Sequence, residues 1–148
     1  MLSQHALVKL SFSMFAAIMV SLNCGNSNPA SSTPSELEGT WVGSPVDEPS
    51  ESMTIVFSGN SFSWSQYGQE IFRGAVTLNT SVNPKRADFL ITWCPQGSPY
   101  VGKTGVGIYK ICPSGDSVLL AGGEPGTEIR PTDFEPSSTN DVLFMVKR

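Results

Sequence analysis

The chain has 148 residues, with nine Lys and Arg against thirteen Asp and Glu, a net charge of −4. Charged residues make up only 15%, while 14 Gly and 11 Pro punctuate the sequence. This composition excludes a helical bundle or coiled coil, which needs Ala, Glu, Lys and Leu in quantity. It also excludes a nucleic-acid binder, which needs a basic surface. One domain of short strands joined by turns suits both the length and the turn-forming residues.

The chain opens on an address. Residues 1–9 carry one cation, Lys9, and no acid, and residues 10–22 (LSFSMFAAIMVSL) are uncharged and mostly apolar. As a helix this run spans ~20 Å, less than the ~30 Å hydrocarbon core of a bilayer. Residues 1–23 therefore read as a cleaved secretory signal sequence and not as a membrane anchor. Cleavage removes Lys9 and the single histidine, His5, leaving eight cations against thirteen acids and a net charge of −5. Cys24 follows, and then GNSNPASSTPS, which has no aliphatic side chain larger than Ala. Residues 24–35 cannot bury surface and read as a flexible tether.

A signal sequence ending at a cysteine before such a tether resembles that of a bacterial lipoprotein. The resemblance implies diacylation of Cys24 on sulfur and a cell-envelope location, held to the membrane through the lipid anchor. Two or more acyl chains hold a protein to a membrane where one does not. The residues before Cys24 are Ser21-Leu22-Asn23. Leu thus stands one place nearer the cysteine than in the common lipobox, with Asn in the small-residue slot, and ordinary signal-peptidase cleavage without lipidation is the alternative.

From Glu36 onward the apolar pattern has period two. In SFSWS, at 61–65, Phe62 and Trp64 share one face and three serines the other, as in a half-buried strand. Seven further runs read the same way, at 40–43, 53–58, 70–78, 87–93, 105–111, 117–121 and 142–146. Gly59-Asn60 and Gly68-Gln69 read as two-residue hairpin turns, and residues 113–116 (PSGD) as a four-residue turn. Short connections make sequence neighbours into spatial neighbours. Eight such strands close into a short antiparallel up-and-down barrel, which removes the exposed edges. Residues 36–148 are thus expected to form one all-β barrel domain.

The domain opens with Gly39-Thr40-Trp41, a Gly-x-Trp like the one that begins the first strand of lipocalins. Gly102-Lys103-Thr104, Gly107-Ile108-Tyr109, Pro125-Gly126, Arg130-Pro131-Thr132 with Phe134, and a terminal VLFMVKR follow in order. Together they resemble a planctomycete-type family of small lipocalin-like domains. The resemblance covers the whole of 36–148, implies a barrel, and brings no established activity with it. In lipocalins the tryptophan packs across the closed end beside an arginine from the last strand. Trp41 matches the first, and Arg148 is the candidate for the second.

Catalytic chemistry finds little support. Past His5 there is no imidazole, so Ser-His-Asp and Cys-His nucleophiles and His-containing zinc sites are excluded. The acids lie scattered, Asp47, Glu48 and Glu51 in one loop and Glu124, Glu128, Asp133 and Glu135 in another, which reads as solvated loop surface. No calcium-loop pattern is present. Gly102-Lys103-Thr104 echoes the end of a phosphate-binding loop, but the segment after it reads as a strand where that loop needs a helix. No catalytic residue, metal or cofactor is expected.

The aromatics Phe57, Phe62, Trp64, Phe72, Phe89 and Trp93 are the candidate lumen lining. They would either surround a small apolar ligand or simply fill a short eight-stranded barrel. In the second case the domain would be a structural or protein-interaction module of the envelope. Cys94 and Cys112 are expected to be unpaired, buried thiols. A hairpin placing Cys94 opposite about Thr104 sets Cys112 ~8 residues, ~25 Å, further along, beyond the ~7 Å reach of a disulfide.

Overall fold

The computed structural model describes residues 36–148. The segments expected to be signal sequence and tether, Cys24 included, lie outside the described residues. Eight strands follow in order: β1 (Gly39–Pro45), β2 (Met53–Ser58), β3 (Ser61–Gln66), β4 (Gln69–Asn79), β5 (Lys85–Trp93), β6 (Thr104–Ile111), β7 (Ser117–Gly122) and β8 (Asp141–Lys147). Each pairs antiparallel with the next, and β8 pairs with β1, closing an up-and-down barrel. Every expected strand lies within an observed one. In β2, Met53, Ile55 and Phe57 are buried while Thr54, Val56 and Ser58 are not. One face can be hidden only by curling the sheet on itself, and closure also pairs both edge strands.

Turn chemistry fixes the register. Gly59 opens the β2–β3 turn at φ 58°. The β3–β4 turn is Tyr67-Gly68 and not Gly68-Gln69, with both residues at positive φ (50° and 77°) and Gln69 already paired with Gln66. Two consecutive positive φ values are the mark of a type I′ turn, whose twist matches the strands it joins. At Gly74 a Cβ would lie 1.8 Å from the Leu90 carbonyl oxygen. Only glycine lets β4 approach β5 this closely.

The β5–β6 register differs from the one the sequence suggested. Leu90, not Cys94, faces Thr104. The chain beyond folds back on β5, where the Ile91 N–H donates to the Lys103 carbonyl at 2.9 Å and the Gly102 N–H to the Ile91 carbonyl at 2.8 Å. Cys94 is free and buried, as expected. Cys112 is not a free thiol: it is disulfide-bonded, with its partner sulfur outside the described residues. The expectation of two thiols fails there because hairpin geometry excludes a pair with Cys94 but says nothing about a sulfur beyond the sheet.

The barrel has two unlike ends. At one end Leu37 lies across the floor, 1% exposed, and its carbonyl accepts the Trp41 indole N–H at 2.7 Å. Glu36 beside it accepts from the Tyr109 hydroxyl and from Lys85 Nζ at 2.7 Å. Burial, then the bond to Glu36, pushes the Tyr109 phenol far above its ordinary range. The Arg148 N–H donates to the Thr40 carbonyl at this same end. The opposite end carries the β1–β2, β3–β4, β5–β6 and β7–β8 connections. The last of these doubles back over the outside of the sheet. Its Phe134 packs, with Val46, over outward-facing Ile108, Ala121 and Val142. Arg130 fastens it, with Nη1 2.6 Å from Asp88 Oδ1 and 2.7 Å from the Gly107 carbonyl.

Candidate functional site

Five of the six aromatics singled out in the sequence meet inside the barrel. Phe62 meets Phe89 edge-on at 5.1 Å, and Trp64 meets Phe72 at 6.2 Å and Phe89 at 6.4 Å. Phe57 completes the group against Phe89 at 6.2 Å. Edge-to-face rings at these distances attract one another beyond their burial alone. The Trp64 indole N–H points at the Met53 sulfur, 3.2 Å away.

Trp93 does not join them. A bulge between Arg73 and Gly74 shifts the register so that Gly74 faces Ile91 while Arg73 faces Trp93. The extra residue reverses the alternation, so Trp93 emerges on the outer face. It is 38% exposed, and the Arg73 guanidinium sits over its ring at 5.0 Å. Strict period-two reading cannot anticipate an insertion of one residue.

Trp41 is fully buried at the closed end, where the Gly-x-Trp match puts it. Its cationic neighbour is Lys147, whose Nζ lies 5.4 Å from the ring. Lys147 pairs with Trp41 across β1 and β8, whereas Arg148 is exposed and contributes a backbone bond. Gly39, at φ 116°, leads the chain from the floor into β1.

Above the aromatic group, at the loop-bearing end, the lumen opens into a cup of about 60 Å³. Phe62, Trp64, Phe72, Phe89 and Ile91, from β3 to β5, line it on one side, and Leu120 and Leu143, from β7 and β8, on the other. Gly105, Gly107, Gly122 and Gly123 form part of the wall, and at Gly105 and Gly122 a Cβ would meet nothing closer than 3.8 Å, so the space a side chain would take stays open there. Tyr100, from the β5–β6 connection, braces Phe72 edge-on at 5.7 Å. Burial, then its hydrogen bond to Glu124, pushes its phenol up to about 12; the hydroxyl donates to Glu124 Oε1 at 3.0 Å.

One ionisable side chain stands in this wall. Asp141 begins β8 opposite Gly122 and shares the inward face with Leu143 and Met145. Burial, then the nearby Asp47 and Glu51 carboxylates, pushes its pKa up to about 8. Glu51 is itself pushed up, chiefly by burial and then by a hydrogen bond with Glu48, while Gln66 Nε2 donates to its Oε2 at 3.0 Å. Asp141 drew no notice in the sequence because a lone Asp before an apolar strand looks like a strand-capping polar residue. Its neighbourhood with Asp47 and Glu51 arises only on closure, when β1 comes to lie beside β8.

Among the described residues no group of three or more His, Cys, Asp or Glu side chains could hold a metal ion. The fold and the cup together define an eight-stranded up-and-down barrel with one closed and one open end. No family model, curated protein or solved structure matches the chain.

Proposed function

We propose that the chain is an exported, non-catalytic, lipocalin-like barrel that binds a small apolar ligand in the cup at its open end. The observation that carries this reading is the cup itself, apolar, walled by aromatics and glycines, and opposite the end where Glu36 comes in. A water needs ~10–15 Å³ by this measure of volume, so 60 Å³ admits roughly four to six non-hydrogen atoms. The ligand is then a short chain, or the tip of a longer one.

Linear alcohols from propanol to octanol test this by saturation of nuclear magnetic resonance shifts. Saturable shifts at Trp64 and Phe89, lost in Gly122→Leu with the fold retained, are expected. The Gly122 site is chosen because a Cβ there meets nothing closer than the Val106 carbonyl oxygen at 3.9 Å. The packed ring cluster supports the second reading, a filled barrel that presents its loops to an envelope protein. Shifts that never saturate, or that persist in Gly122→Leu, would decide for it.

Anchoring through Cys24 belongs to the same proposal, and the sulfur count constrains it. The chain has three cysteines, Cys94 is free and Cys112 is disulfide-bonded. A sulfur in a disulfide carries no acyl chain. An acylated Cys24 therefore requires Cys112 to bond a second molecule, visible as a linked species on a non-reducing gel. A monomer without acyl mass would overturn the anchor.

A further inference from the structure

The cup is apolar on nearly every side, yet Asp141 interrupts that wall, and the β1–β2 connection brings Asp47 and Glu51 close to it. A filled hydrophobic core has no use for a carboxyl in this place, since burying one costs free energy unless it is paired. The described structure gives Asp141 Coulombic contact with like charge. The acids thus make the mouth a place where positive charge is favoured and negative charge repelled.

We propose that the cup selects short amphipathic amines, with the alkyl tail against Phe62, Trp64 and Phe89 and the ammonium held by Asp141. This inference rests on the binding reading above and adds the chemistry of the ligand's head. The amine nitrogen keeps its proton and no covalent bond forms. A carboxylate ligand of the same length would meet Asp141, Asp47 and Glu51 with its own negative charge. An alcohol would gain the tail contacts alone.

Proton linkage gives the amine a distinctive signature. Near neutral pH the free cup holds Asp141 mostly protonated, so binding an ammonium must expel that proton. Amine affinity therefore rises as pH increases from 6 through about 8, until the amine itself deprotonates near ~10.4, the value for a lysine side chain. Asp47 and Glu51 are the charged groups acting on Asp141.

The test compares butylamine, butanol and butyrate by nuclear magnetic resonance titration of residues 24–148 at pH 7 and pH 8.5. Butylamine is expected to bind roughly tenfold more tightly than butanol, as for a charge-assisted contact, and more tightly at the higher pH. Butyrate is expected to bind most weakly. In Asp141→Asn the preference for amine over alcohol should vanish while butanol binding persists. Equal binding of amine and alcohol, or tightest binding of butyrate, would overturn the amine inference and leave the cup reading intact. Failure of all three to saturate would overturn both. Should Asp141→Asn not fold, the pH dependence of the wild-type amine-to-alcohol ratio still decides, because a flat ratio denies Asp141 its role.

Discussion

Lys147 and Trp41 face one another across the β1–β8 seam, with the Lys147 ammonium 5.4 Å from the Trp41 ring. The pairing joins the first strand to the last at the one place where the sheet must find its own beginning. Trp41 also gives its indole N–H to Leu37, so the same side chain closes the seam and the floor.

Truncation of that tryptophan removes a large, fully buried side chain and orphans the Leu37 carbonyl. Trp41→Ala is expected to destabilise the barrel by about 3–5 kcal/mol in urea unfolding. Lys147→Ala removes only a cation–π contact and should cost about 0.5–1 kcal/mol. Arg148→Ala should change stability by less than about 0.5 kcal/mol. An Arg148 effect larger than that of Lys147 would contradict the pairing described here.

Asp141 makes stability depend on pH. Its folded pKa, about 8, lies above the ordinary 3.8, so the folded state holds the proton more tightly than the unfolded chain. The stabilisation is full below pH ~4 and is lost as pH rises to about 8. The whole displacement corresponds to ~6 kcal/mol, and solvent screening of the partly exposed carboxyl should reduce it to about 2–3 kcal/mol. Urea midpoints should fall across that range in the wild type and much less in Asp141→Asn, measured side by side. Parallel curves for the two proteins would refute the assignment.

Gly74 has no room for even one carbon. Gly74→Ala must push β4 away from the Leu90 carbonyl, and overpacking of that kind costs about 1–3 kcal/mol. Gly59→Ala meets no atom within 4 Å and carries only the strain of its positive φ. Gly74→Ala is therefore expected to lower the melting temperature further than Gly59→Ala, and the reverse order would be inconsistent with this crowding.

Sulfur chemistry gives a count. Denatured without reductant, the chain should react with one equivalent of a thiol reagent, at Cys94, and peptide mapping should find Cys112 blocked. Finding Cys112 itself among the reactive thiols would show it to be unpaired.

Much of this architecture could be read directly from the side chains. Alternation in SFSWS and MTIVFS announces strands because a two-sided sheet sorts its residues by burial, and that sorting is local. The departures share one cause, that they depend on partners far away in sequence. The bulge that turns Trp93 outward is a property of the β4–β5 pair. The fold-back of Gly102 onto Ile91 shifts the β5–β6 register away from the one a simple hairpin count gives. Lys147 replaces Arg148 beside Trp41 because the β1–β8 register, set only when the barrel shuts, decides which cation reaches the ring. The cup was half legible: its aromatic wall lay in plain alternation, whereas Asp141 acquires its acidic company only from the seam.

The segregation of the two barrel ends divides the molecule into a handle and a face. The strands that cross between them are held by buried rings and by inward glycines, and leave little room for change. The four connections at the open end bear fewer such obligations, chiefly the Phe134 and Arg130 fastening and the Tyr100 contacts with Phe72 and Glu124. Substitutions and insertions there can accumulate without disturbing how the rest of the chain is tied down. A molecule grafted at Arg148 would sit behind the barrel, and the cup would still look outward, unobstructed. Such a layout lends itself to immobilisation and to repertoire building, with one invariant back and many interchangeable mouths.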